Sequence, residues 1–110
     1  MNIERISSVV PVDDLSGAVS KWATVLGTEP TFVDGDRWAQ FDVGAARLAL
    51  AGTDRASDAA GLMIKVDDLA AAIEGYATAG LDVGDPVEGA HEVRAEIAGF
   101  EVPITIYASR

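Results

Sequence analysis

Three polar side chains alternate along one predicted strand of this chain and could contact a ligand. Trp38, Gln40 and Asp42 occupy every second position, and the intervening Ala39 and Phe41 are apolar. Because successive side chains of a strand point to opposite faces, the apolar set should face a helix layer and the polar set the other side. Trp38 either stacks on a flat ligand, or shields the core or a dimer contact at a strand end.

A second predicted strand carries charges at alternate positions, Glu92, Arg94 and Glu96. Arg94 either anchors a ligand carboxylate or neutralises Asp42 or Glu96, and an internal pair is favoured because charges near the interior are usually paired. His91 is the only histidine and could act as a general base. No Ser or Cys nucleophile stands in register with it, so we expect an exposed residue at a strand end.

Two aspartate pairs could be taken for an acid/base constellation or a metal cluster, Asp13-Asp14 and Asp67-Asp68. Each pair directly precedes a leucine that opens an apolar stripe with helical spacing. An aspartate at that point accepts hydrogen bonds from the free N–H groups of the first helical turn. We therefore interpret both pairs as helix caps.

The elements that must position these residues occur twice. The first half predicts a strand at Ile3–Val12, a helix from Leu15 to Leu26 that ends at Gly27, and strands at Thr28–Val33, Arg37–Val43 and Ala46–Ala51. The second half, after a small-residue linker, predicts a strand at Leu62–Val66, a helix at Asp68–Ala79 that Gly80 stops, and strands near Leu81–Gly84, His91–Ile97 and Glu101–Tyr107. The linker is Gly52–Gly61.

The two halves are also similar in sequence. Val12-Asp13-Asp14-Leu15 recurs as Val66-Asp67-Asp68-Leu69, and at the same offset Trp22 is matched by Tyr76. We predict one α+β domain over residues 1–110, with modules at about 1–52 and 61–110. Its two tandem βαβββ modules would form an eight-stranded curved mixed sheet around a cleft, with the helices on the convex face.

Composition limits the classes of function. The chain has 110 residues, 49% of them hydrophobic, so it can bury a core. The net charge of −10 disfavours nucleic acid and anionic membranes as partners. There is no cysteine, no apolar run long enough for a membrane span and no sign of a signal peptide. We therefore expect a cytoplasmic protein.

The repeat and the order of its elements resemble the vicinal oxygen chelate superfamily, also called the glyoxalase / bleomycin resistance / dioxygenase fold. The resemblance covers nearly the whole chain. It is carried by the segment from Ser7 to Leu15, the helix end at Val25-Leu26-Gly27, the strand pair Trp38–Val43 and Arg47–Leu50, and the second Asp-Leu junction at Asp68-Leu69.

The resemblance implies a divalent metal held by one ligand from the first and one from the last strand of each module. The matching positions here are Ser7, Ala49, Gly61 and Thr105. Alanine and glycine have no side-chain donor, and hydroxyl groups are poor ligands for such metals. We therefore expect no metal and no other cofactor, and the metal-dependent activities of the superfamily are not expected.

The positions that match the superfamily's metal ligands also indicate where one tyrosine side chain points. Because Tyr107 shares a strand face with Thr105, which occupies a former ligand position, its hydroxyl should also line the cleft. Phe32 and Phe100 either close the ends of the cleft or belong to the core.

The resulting hypothesis is a metal-free protein that binds a small aromatic or cationic molecule, such as an antibiotic that it sequesters, and that forms a homodimer. No catalytic residue is assigned. Alternatives are a lyase, isomerase or dioxygenase-like enzyme of the same superfamily and a non-catalytic dimerising module. The predicted ligand-binding residues are Trp38, Gln40, Asp42, Arg94, Thr105 and Tyr107.

Overall fold

The computed structural model describes residues 1–55 and 57–110, so that Ala56 of the predicted linker lies outside the described residues. The eight strands are β1 (Ile3–Pro11), β2 (Phe32–Asp34), β3 (Trp38–Val43), β4 (Ala46–Ala51), β5 (Gly61–Val66), β6 (Val87–Glu88), β7 (Glu92–Ile97) and β8 (Ile104–Ser109). The two helices are α1 (Leu15–Leu26) and α2 (Leu69–Thr78). In the described part of the chain, neither helix is long and apolar enough to cross a membrane.

The strands form a mixed sheet. Hydrogen-bonded neighbours follow the order β2-β3-β4-β1-β5-β8-β7-β6. In each module the first and last strands are parallel, β1 with β4 and β5 with β8, and the remaining pairs within a module are antiparallel. The predicted α+β class with two βαβββ modules is confirmed.

The chain divides into two compact units. Ser7–Ala60 form the first-half unit, and Gly61–Arg110 together with Met1–Ile6 form the second-half unit. Strand β1 contributes residues to both units, and each unit has its own hydrophobic core.

Aspartate caps begin both helices, as predicted, but in each pair the cap is the second residue, Asp14 or Asp68, and not Asp13 or Asp67. The Asp14 carboxylate accepts a hydrogen bond from the Gly17 N–H at 3.1 Å, and Asp68 accepts one from Ala71 at 3.0 Å. Helix α1 ends at Gly27, whose φ of 68° lies in the left-handed region that favours glycine. These short local contacts fix where the helices begin and end, and the buried residues of each helix then pack on the strands of its own module.

The core of each unit lies between its helix and one face of its strands. In the first-half unit, Leu15 of α1 packs with Phe41 and Leu50, which are fully buried. In the second-half unit, Leu69 of α2 packs in one cluster with the fully buried Ile106. The alternating strand residues therefore point away from the helix, and the candidate site residues belong to that second set.

Three strand boundaries differ from the predictions. The strand predicted at Thr28–Val33 is β2, Phe32–Asp34; the one at Leu81–Gly84 is reduced to a single bridge between Val83 and Ile97; and the one at Glu101–Tyr107 is β8, Ile104–Ser109. A proline precedes β2, β6 and β8 closely, at positions 30, 86 and 103. Because proline has no backbone N–H to donate to a ladder, it delays the start of strand pairing.

The first aspartate of the second pair, Asp67, is not a helix cap and instead holds the start of β1. Its carboxylate accepts a hydrogen bond from the Asn2 backbone N–H at 2.7 Å, and the Asp67 N–H donates to the Asn2 carbonyl at 3.1 Å. The hydrogen bond from Asn2 to the charged carboxylate lowers the pKa of Asp67 below its ordinary value.

This contact predicts an acid-sensitive contribution to stability. Because the folded pKa of Asp67 is depressed, its contribution is present above the unfolded pKa and is lost as the pH falls through the folded pKa. We expect the stability difference between the wild type and Asp67→Asn to be largest near neutral pH and to close in acid. Urea unfolding across this pH range measures that difference, and a difference independent of pH would contradict the assignment.

Candidate functional site

The polar residues predicted on the third strand lie on one face of the first-half unit. Ala39 and Phe41 are fully buried in the core that contains α1, so Trp38, Gln40 and Asp42 point to the opposite face. All three are partly buried. We call the face of β1, β3 and β4 that is turned away from α1 the first-half open face.

Trp38 is held in place on this face by its neighbour two residues on. The indole Nε1–H donates to Gln40 Oε1 at 3.3 Å. The cross-strand partners of this pair are small, because Trp38 stands opposite Ala51 and Gln40 opposite Ala49. The indole and the amide therefore stand beside two small side chains, and both alanines are buried, at 1% exposure each.

Asp42 holds an arginine that the sequence analysis did not single out. Arg47 stands opposite Asp42 on β4 and makes a two-pronged contact, Nε to Oδ1 at 2.7 Å and Nη2 to Oδ2 at 3.1 Å. Thr31 Oγ1 donates to the same carboxylate at 2.6 Å. The planar guanidinium is thereby fixed on the open face. The sequence did contain a signal for Arg47. It lies two residues before Ala49, one of the implied metal-ligand positions, and therefore shares a strand face with it.

The second-half unit places its three predicted ligand-binding residues, Arg94, Thr105 and Tyr107, on one face. Across β5, β8 and β7, Lys65 pairs in register with Tyr107 and Tyr107 with Arg94, while Thr105 stands opposite Glu96 in the adjacent row. The alternate residues of these strands belong to the core with α2. We call this other face the second-half open face.

The cations of the second-half open face are paired within it. Arg94 Nη1 lies 2.9 Å from Glu92 Oε1, and Lys65 Nζ lies 3.7 Å from Glu4 Oε2. The favoured internal pair of Arg94 is therefore present, but its partner is Glu92 on the same strand, and not Asp42 or Glu96. Both ion pairs are partly exposed, and they leave Tyr107 between two neutralised cations.

The four positions implied as metal ligands are equivalent in the two units. On the parallel strands β1 and β4, Val9 pairs with Ala49, and on β5 and β8, Met63 pairs with Thr105. Ser7 lies two residues before Val9, and Gly61 lies two residues before Met63. The donor set does not fit a divalent metal. Two positions have no donor atom, and the Ser7 hydroxyl, 3% exposed, has no hydrogen-bond partner among the described residues.

A close backbone approach accounts for the glycine at position 61. A Cβ atom there would lie 2.5 Å from the Pro103 carbonyl oxygen and 3.1 Å from Pro103 Cβ. The same carbonyl accepts a hydrogen bond from the Leu62 N–H at 3.0 Å. Any side chain that could hold a metal at position 61 would displace the start of β8.

The remaining candidates lie at the surface. His91 is exposed, as expected, and its carbonyl accepts a hydrogen bond from the Arg110 N–H at 3.1 Å. Phe32 and Phe100 are about half exposed, so neither belongs to a core.

The second-half unit contains a cavity of about 440 Å³ that the sequence analysis did not predict. It lies where the segment before β6 meets the turn between β7 and β8, and none of the six predicted ligand-binding residues lines it. The residues that line it include Asp82, Glu96, Ile97, Phe100, Glu101 and Val102, and all of these except Ile97 are exposed. The turn was missed because residues from Glu101 onward were predicted as strand.

This chain was compared with family models, curated proteins and solved structures. No family model matches the chain, and no curated protein matches it either. Solved structures do match. A NAD-dependent benzaldehyde dehydrogenase from Legionella pneumophila has a TM-score of 0.86 at 12% identity, covering 96% of this chain and 99% of that one.

Two further matches carry names from the predicted superfamily. A glyoxalase/bleomycin resistance protein/dioxygenase superfamily member from Vibrio splendidus has a TM-score of 0.70 at 11% identity, covering 98% and 100% of the two chains. The methylmalonyl-CoA epimerase of Streptomyces coelicolor has a TM-score of 0.73 at 16% identity, covering 98% and 96%. At such identities the likeness concerns the fold alone. The chain therefore has the vicinal oxygen chelate fold, as its internal repeat predicted.

Proposed function

We propose that this protein binds a small aromatic or cationic molecule on its open faces without a metal ion and without catalysing a reaction. The observation that carries the proposal is the Trp38–Gln40 pair beside Ala49 and Ala51. A flat aromatic partner would stack on the face of the Trp38 ring. The amide N–H₂ group of Gln40 can donate to the same ligand.

The rest of the predicted set supports the proposal with polar contacts. Thr105 and Tyr107 carry hydroxyl groups on the second-half open face, and Arg94 offers the donors that Glu92 leaves over. Asp42 acts through Arg47, which it orients. Sequestration of an antibiotic is one role that such binding would serve.

A fluorescence titration tests the role of Trp38. The chain has two tryptophans, and Trp22 packs in the core of the first-half unit, so Trp22→Phe is the matched control for Trp38→Phe. With a panel of flat aromatic cations, neutral compounds and anions, we expect saturable quenching in the wild type and in Trp22→Phe. Trp38→Phe should lose the quenching, because its remaining tryptophan, Trp22, is packed against the core. Trp38→Ala, measured by equilibrium dialysis, should lose about tenfold in affinity, the size of an aromatic contact.

Two measurements on the same samples separate binding from catalysis. Chromatography of the compounds after incubation should recover them unchanged, and turnover of any of them would favour the enzyme alternative. Elemental analysis of protein purified without chelator should find no stoichiometric metal. One Zn, Ni, Mn or Fe per chain, or quenching retained in Trp38→Phe, would contradict the proposal.

The same proposal includes a single domain over residues 1–110 that works as a cytoplasmic homodimer. Strand β2 supports the dimer, because it is an edge strand and its Phe32 and Val33 are about half exposed. Edge strands with exposed apolar side chains are commonly covered by another chain.

A further inference from the structure

We infer that the first-half open face selects aromatic carboxylates, with Arg47 and Ser7 holding the carboxylate while Trp38 stacks on the ring. This inference rests on the proposed function and narrows its ligand to an aromatic acid. All three residues belong to the first-half unit. Neither Arg47 nor Ser7 is among the six residues predicted from the sequence to bind a ligand.

Ser7 carries a buried hydroxyl group without a partner. The residue is 3% exposed, and within the residues that the structure describes its Oγ makes no hydrogen bond. Because Val10 of the same strand packs in the core with α1, Ser7, three positions away, points to the open face. A buried hydroxyl group that lacks a partner destabilises the fold, and a ligand oxygen that accepts its hydrogen bond would remove that cost.

Arg47 stands beside Ser7, because the two residues are register partners on the parallel strands β4 and β1. Asp42 engages one edge of the guanidinium, through Nε and Nη2. The other edge, formed by Nη1 and Nη2, still presents two parallel N–H donors, which match the two oxygens of a carboxylate. The Arg47 side chain is 17% exposed, so water competes less for these donors than it does at the surface.

The remaining polar side chains of this face also leave donors for a ligand. The Trp38 Nε1–H can only donate, so Gln40 turns its Oε1 toward the indole and its N–H₂ group away. The Asp42 oxygens already accept hydrogen bonds from Arg47 and Thr31. A ligand that presents acceptor oxygens therefore fits this face better than an ammonium group does.

The spacing along the strands allows one molecule to reach both ends of the site. Trp38 precedes Asp42 by four residues on β3, and Arg47 is the cross-strand partner of Asp42. Four residues of a strand span roughly 13 Å, a distance that the indole and the arginine side chain share with the ligand. A flat acid such as trans-cinnamate, which separates its ring from its carboxylate by a rigid double bond, suits this arrangement.

The net charge of −10 opposes an anionic ligand only at long range. Charges on the surface are screened beyond about 8 Å at physiological ionic strength. The guanidinium edge and the hydroxyl group act at hydrogen-bonding distance, roughly 3 Å, where contacts to a charged acceptor are strongest. Because Asp42 also offsets the charge of Arg47, we expect the geometry of the donors to matter more than positive charge alone.

Three probes that share one flat frame test the selection. At neutral pH trans-cinnamate is an anion, cinnamamide is neutral and cinnamylamine is a cation. With ¹⁵N-labelled protein at physiological ionic strength, we expect cinnamate to shift the Trp38 Nε1–H and Arg47 Nε–H resonances. Cinnamamide should bind at least about fivefold more weakly, and cinnamylamine more weakly still.

Arg47→Lys tests the role of the donor geometry, because lysine keeps the charge and lacks the two parallel N–H groups. We expect this variant to bind cinnamate about tenfold more weakly, as for hydrogen bonds to a charged group. Arg37→Lys is the matched control. Arg37 forms its ion pair with Asp54 at the surface, so this variant should bind cinnamate as the wild type does.

Ser7→Ala should change stability and binding in opposite directions. Removal of the buried hydroxyl group should raise the urea midpoint of unfolding of the free protein, whereas cinnamate affinity should fall about fivefold. A purely structural serine would change only the first of these quantities. Ser8→Ala is the control, because the neighbouring Ser8 is exposed and points to the other face, and it should change neither.

Each result decides the inference. Cinnamylamine or cinnamamide bound as tightly as cinnamate, or an unchanged cinnamate affinity in Arg47→Lys or Ser7→Ala, would overturn it. If cinnamylamine shifts the Trp38 resonance and cinnamate does not, this inference fails and the proposed function stands. If no compound of this set or of the fluorescence panel binds, the proposed function itself fails.

Discussion

Gly61→Ala should lower the free energy of unfolding by about 1–3 kcal/mol, the usual cost of inserting a methyl group into a packed site. The new Cβ would lie 2.5 Å from the Pro103 carbonyl oxygen, which is backbone and cannot rotate away. If Pro103 moves, the hydrogen bond from the Leu62 N–H is strained as well. Urea unfolding of the two proteins measures the difference.

Gly75→Ala is the matched control for this substitution. Gly75 lies inside α2, and a Cβ there would meet nothing within 4 Å. Alanine in the interior of a helix is favoured over glycine by roughly 0.5–1 kcal/mol, so this variant should be more stable than the wild type. Equal effects of the two substitutions, or a Gly61→Ala protein as stable as the wild type, would show that the contact with Pro103 relaxes freely.

The Gly61 result bears on function as well as on stability. If position 61 accepts no side chain, a metal ligand cannot be restored there by one substitution, because β8 would first have to move. A Gly61→His protein as stable as the wild type would show that position 61 accepts a side chain. The strand approach would then not be the reason that this position lacks a donor.

Phe41→Ala should cost about 3–5 kcal/mol, the largest effect we expect from a single substitution in this chain. Phe41 is fully buried in the core with Leu15 and Leu50, so that truncation removes its contacts and leaves a cavity. A loss of this size is a large part of the roughly 5–15 kcal/mol that stabilises most domains. Thermal and urea unfolding measure this loss of stability. If the alanine variant fails to fold, Phe41→Leu should cost about 1 kcal/mol and can be measured instead.

Phe32→Ala serves as the control for the loss of a phenyl group. Phe32 lies on the edge strand β2 and is 46% exposed in the single chain, so at protein concentrations where the chain is a monomer its truncation should change stability by less than about 1 kcal/mol. A large loss in Phe32→Ala that depended on protein concentration would indicate that another chain covers this residue, as the proposed homodimer requires. A small loss in Phe41→Ala would contradict the arrangement of the core.

Local signals in the sequence predicted much of the fold. The helix caps at Asp14 and Asp68, the helix end at Gly27 and the alternation along β3 depend on contacts within a few residues, and each is confirmed. The internal repeat added the long-range order, because two copies of one unit must have the same strand arrangement. The chelate fold followed from that order of elements.

Only the tertiary structure decided how the candidate residues are paired and where a cavity forms. The contact between Arg47 and Asp42 and the contact between Gly61 and Pro103 join residues that are distant in sequence and meet across strands. The pair of Arg94 and Glu92 lies within one strand, but the sequence alone did not choose Glu92 over Asp42 or Glu96. Such contacts depend on strand register, and register depends on where strands begin. Prolines shifted those starts by several residues, so the sequence by itself determined which side chains share a face, and the paired strands determined which of them meet.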